Sequence, residues 1–88
     1  MNATLTPLQG RAAFHAERIF RSTGHGVLAH QRFLKLARSA QLPVAIGEWS
    51  VQHCITGLRL MEAAAREFHM ERFRNVNTGW RELAEQHN

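Results

Sequence analysis

The sequence of 88 residues predicts an all-α fold, a compact bundle or orthogonal array of about four helices. Three observations predict it. Apolar residues recur at three- and four-residue spacing through most of the chain, as on the faces of amphipathic helices. Helix starts and stops punctuate it at Thr6-Pro7, Gly24-His25-Gly26, Leu42-Pro43 and the cluster from Asn75 to Gly79. The one short apolar run that resembles a strand, Leu42 to Ile46, is interrupted by Pro43, which cannot donate to a sheet ladder. The length fits a single helical domain over residues 1–88.

The first helix opens on a Thr-x-x-Gln capping box, with Thr6 as N-cap, Pro7 at the first helical position and Gln9 three residues on. Leu8, Ala12, Ala16, Ile19 and Phe20 recur on one face, and Gly24 suits a left-handed stop. The second helix is expected from Gly26 to Ala40, with Val27, Leu28, Phe33, Leu34, Leu36 and Ala37 giving an apolar surface wide enough for neighbours on two sides. A third, longest helix begins between Pro43 and Trp49. Its stripe runs through Val51, Cys54, Ile55, Leu58, Met61, Ala65 and Phe68 to Arg72. Gly57 within this stripe is expected to allow a close crossing of helices. A short fourth helix, Thr78 to Gln86, presents Trp80, Leu83 and Ala84.

Composition narrows the function classes. Hydrophobic content of 44% with charged content of 20% is too apolar for a disordered chain. No apolar run approaches the ~20 residues of a membrane span. Met1 to Arg11 lacks the charged and apolar regions of a secretory signal, and the lone Cys54 allows no disulfide within the chain. A cytoplasmic location is the expectation. Cys54 sits between apolar neighbours and reads as a small core residue.

Histidine is enriched, at positions 15, 25, 30, 53, 69 and 87. None of the six stands in a His-x-x-x-His or Glu-x-x-His spacing, which would set two ligands on one helical face. No nucleophile elbow or phosphate loop is present either. Neither a catalytic residue, a metal site nor a cofactor is expected, and the chain is not expected to be an enzyme.

The net charge of +4 is unevenly placed. Residues 1–42 hold six cations and one acid, whereas residues 43–88 hold five cations and six acids. The positive excess makes the N-terminal half the better candidate for an anionic partner. Within it, the run Leu36 to Ile46 resembles the first half of a helix-turn-helix. Ala37 takes the place of the packing alanine, Gln41 the turn position and Leu42 the apolar position after it. The pattern departs at Gly47, where an apolar residue is expected, and Ile46 stands one place early. The resemblance implies a DNA-binding segment around residues 33–56. In it Arg32, Lys35 and Arg38 hold phosphates while Ser50, Gln52 and His53 face bases.

The other candidate surface is apolar. The stripe of the third helix and the large aromatics supply Trp49, Leu58, Met61, Phe68, Phe73 and Trp80, residue types suited to a protein interface. A chain of this size buries about 60–65% of its unfolded surface, so self-association is expected to cover more. The first expectation is therefore a small protein-interaction module, an adaptor, inhibitor or small subunit, whose partner is a second copy or another protein. A small basic DNA-binding regulator is the alternative. Neither a membrane nor a small-molecule substrate is indicated.

Overall fold

A computed structural model describes residues 4–20 and 24–68. Among them are three α-helices and one 3-10 turn, with no strand. The helices are α1, Pro7–Phe20; α2, Gly24–Ser39; and α3, Val51–Glu67. The 3-10 turn, Ile46–Glu48, lies in the connection between α2 and α3. Each helix contacts the other two, and α1 also touches the 3-10 turn. The expected fourth helix, with Phe73 and Trp80, lies outside the described residues. No described helix is long and apolar enough to cross a membrane.

The start of α1 follows its sequence signal. Thr6 Oγ1 accepts from the Gln9 N–H at 3.2 Å, and Gln9 Oε1 accepts from the Thr6 N–H at 2.9 Å. Two of the orphan donors at the head of the helix are thereby used. Gln9 then does more than cap. Its side-chain amide donates to the carbonyls of Gly47 at 3.2 Å and Trp49 at 2.9 Å. A buried side chain at the head of α1 thus pins the loop that leads into α3.

The second helix differs from expectation at its start and ends in a recognisable way. Gly24, expected to stop the first helix, is the first residue of α2. At the far end the Leu42 N–H reaches the Ala37 carbonyl at 3.0 Å and the Gln41 N–H reaches that of Arg38 at 3.1 Å. This pair of bonds is a Schellman motif, and it requires a left-handed residue at the position of Gln41. Gln41 adopts it, with φ of 59°. Leu42, the next residue, packs against the core, as the motif's apolar contact demands.

The third helix starts later than its sequence suggests. Pro43 to Ser50 form a loop with the 3-10 turn, and α3 begins at Val51. The cause is a second capping box. Ser50 Oγ accepts from the His53 N–H at 3.1 Å, and His53 Nδ1 accepts from the Ser50 N–H at 3.2 Å. Histidine stands where Glu or Gln is usual, so the start was not visible as a motif.

The core draws on all three helices: Leu8, Ala12 and Ile19 from α1, Ala29, Phe33 and Ala37 from α2, and Cys54, Ile55, Leu58, Met61, Ala64 and Ala65 from α3. Trp49 enters from the loop and donates its indole N–H to the Pro43 carbonyl at 2.8 Å. A Cβ on Gly57 would lie 2.4 Å from the Trp49 ring. Gly57 therefore makes room for an indole and not for a helix crossing.

Candidate interaction face

The interface residues expected from the stripe of α3 need correction. Leu58 and Met61 are 0% exposed and Trp49 is 5% exposed. Because α3 is covered by both α1 and α2, its stripe is the chain's own core and offers these side chains to no partner. Phe68, the C-cap of α3, is half-buried against the same core.

The residues of the nucleic-acid alternative fall on two helices. Arg32, Lys35 and Arg38 are all exposed on α2 at three-residue spacing, so neighbouring pairs share a helical face. Arg32 is not free, since its Nε donates to Glu67 Oε2 at 2.9 Å and ties α2 to the end of α3. Ser50 and His53 form the capping box of α3, which occupies the Ser50 hydroxyl and His53 Nδ1, and Gln52 is exposed beside them. The segment that resembles a helix-turn-helix does not take that geometry. Its turn is the Schellman end of α2, and no α-helix follows until Val51.

What the structure brings to the surface is a face of α2 that sequence reading did not single out. The inward stripe of α2 is Gly26, Ala29, Phe33 and Ala37, of which only Phe33 is large. The large aliphatics point outward: Val27 is 54% exposed, Leu28 45% and Leu34 47%. On a helix advancing 100° per residue, Leu34, Val27, Arg38, Gln31, Lys35 and Leu28 fill an outward arc of about 120°. Leu34 and Val27 form one edge with Arg38 beside them, and Leu28 and Lys35 form the other. Small residues inward at 26, 29 and 37 were the available signal, because a helix that packs on alanine and glycine leaves its leucines for another surface.

Two other features lie on or behind α1. On α1, Phe14 is 47% exposed, the Arg18 guanidinium carbon lies 5.7 Å from its ring centre, and Pro7, Gly10 and Arg11 line a shallow, open depression beside it. A cation already covers that ring. The second feature is buried. His15 is 0% exposed on α1, and its pKa lies below the ordinary 6.5. Burial is the main cause, the Arg11 charge adds to it and Glu62 opposes it. Burial also pushes the Cys54 thiol up, which keeps it protonated and unreactive. Among the described residues no three His, Cys, Asp or Glu side chains gather as a metal site.

No family model, curated protein or solved structure matches the chain.

Proposed function

We propose that this chain is a small protein-interaction module that docks a partner on the outward face of α2. One observation carries the reading. In α2 the small side chains are buried and Val27, Leu28 and Leu34 stand about half exposed on one arc. Exposing large aliphatics costs about 25 cal/mol per Å² relative to burying them, so a partner that covers them gains directly. The helix is backed by contacts with α1 and α3, and a preformed surface loses less entropy on docking.

The DNA-binding reading keeps two exposed cations on this face with no acid partner among the described residues, Lys35 and Arg38, and an α2 without acids. It is weakened by the aliphatics on either side of them, which a phosphate backbone would leave uncovered.

The test is co-purification from the expressing cells with three proteins: the wild type, Leu28→Ser/Leu34→Ser, and Arg59→Ser as an exposed control on α3. A stoichiometric partner, or a second copy, is expected with the wild type and the control and is lost from the double variant. Capture that is the same for all three would overturn the proposal. Salt-sensitive binding to duplex DNA that survives Leu28→Ser/Leu34→Ser but not Lys35→Ser/Arg38→Ser would replace it with the regulator reading.

A further inference from the structure

Resting on that docking reading, we infer that the occupant of the α2 face is an acidic amphipathic helix of another protein. The first argument is charge. The 16 residues of α2 contain no acid. Of its three cations, Arg32 is already held by Glu67, while Lys35 and Arg38 stand exposed. Arg38 flanks the Val27–Leu34 edge at i+4 from Leu34, and Lys35 flanks Leu28 at i+7. Each aliphatic edge of the face therefore has a cation beside it. A partner that lays apolar side chains on both edges must set the residues between them against the positive charge of Arg38 and Lys35, and carboxylates there are attracted while ammonium groups are repelled.

The second argument is area. A helix of this length is about 24 Å long. Three half-exposed aliphatics on an arc one helix wide fall well below the ~800 Å² per partner of a standard stable interface. The face is the size of a single docked helix, which would be read by anchors at i, i+3 or i+4, and i+7. A second copy suits it less. Pairing two such faces adds cations to cations, and α2 has no acid of its own to answer them. A duplex would answer the cations but not the aliphatics.

The experiment uses the full chain and two synthetic peptides of about 18 residues, roughly five helical turns. They share Leu/Phe positions along both edges of one face; one carries Glu beside those positions, between the two edges, and the other carries Lys there. Binding is read by fluorescence anisotropy at low and moderate salt, alongside the oligomeric mass. The Glu-flanked peptide is expected to bind about tenfold more tightly at low salt, with the preference shrinking as salt is raised. Lys35→Ser/Arg38→Ser should remove most of that preference, and Leu28→Ser/Leu34→Ser should abolish binding of both peptides, with circular dichroism unchanged in each variant. Equal binding of the two peptides, lost in the leucine variant, would overturn the acidic partner and leave the docking face standing. Binding of neither, or binding indifferent to Leu28 and Leu34, would overturn both. A concentration-dependent dimer that excludes the peptides and is lost in the leucine variant would name a second copy instead and also overturn the inference.

Discussion

At the residue scale the clearest device is the fit of Trp49 over Gly57. The indole is held at one end by its hydrogen bond to the Pro43 carbonyl, and two of its ring carbons lie 2.4 and 2.6 Å from where a Cβ on Gly57 would be. Helix propensity alone favours Gly57→Ala by about 1 kcal/mol. Overpacking against a rigid ring costs roughly 1–3 kcal/mol and decides the sign. Gly57→Ala is therefore expected to lower the midpoint of thermal unfolding. Gly10 on α1 has nothing within 4 Å of its Cβ direction, so Gly10→Ala should raise the midpoint, by up to about 1 kcal/mol of stability. Equal shifts of the two variants in scanning calorimetry would remove the indole contact from this account. Sequence reading placed Gly57 correctly on the apolar face of its helix. It could not show that the reason was an aromatic ring from a loop eight residues upstream, because nothing local links the two.

Between elements, the packing of α1 on α3 carries a titratable group. His15 on α1 is wholly buried, with Arg11 on its own helix and Glu62 on α3 acting on it in opposite senses. Its folded-state pKa is lowered below 6.5. Above that pH the imidazole is neutral in both states and its burial is undisturbed. As pH falls below it, the unfolded chain takes up a proton that the folded chain resists, so stability falls until the lower folded pKa is reached. Urea unfolding of the wild type and of His15→Gln between pH 7.5 and 5 isolates this effect, since the other groups titrate alike in both proteins. The stability advantage of the wild type is expected to shrink as pH falls; a difference constant with pH would contradict it. Element starts show what was legible. The Thr6–Gln9 box was readable because all its signals lie within four residues. The start of α3 was not, because His53 replaces the usual partner of Ser50. The end of α2 was legible from the Leu42-Pro43 punctuation, but its Schellman geometry was not, because Ala37, Gln41 and Leu42 also fit the opening of a helix-turn-helix.

On the scale of the whole molecule, the all-α character was legible from periodicity, and the choice of surface was not. A stripe of Cys54, Leu58 and Met61 reads equally as core or interface from sequence, since hydrophobicity does not say how many neighbours a helix has. The topology answers it, because α3 lies against both other helices. Three of the exposed large apolar residues, Val27, Leu28 and Leu34, belong to α2, where glycine and alanines take the inward positions. On the proposed function, this outward face of α2 is where a partner sits. The most direct measurement is a chemical-shift titration of the isotopically labelled chain with the Glu-flanked peptide. Shifts are expected to concentrate at Val27, Leu28, Gln31, Leu34, Lys35 and Arg38, with the inward residues of α3 scarcely moved. Shifts confined to the Phe14 side of α1, or spread evenly over the chain, would contradict it.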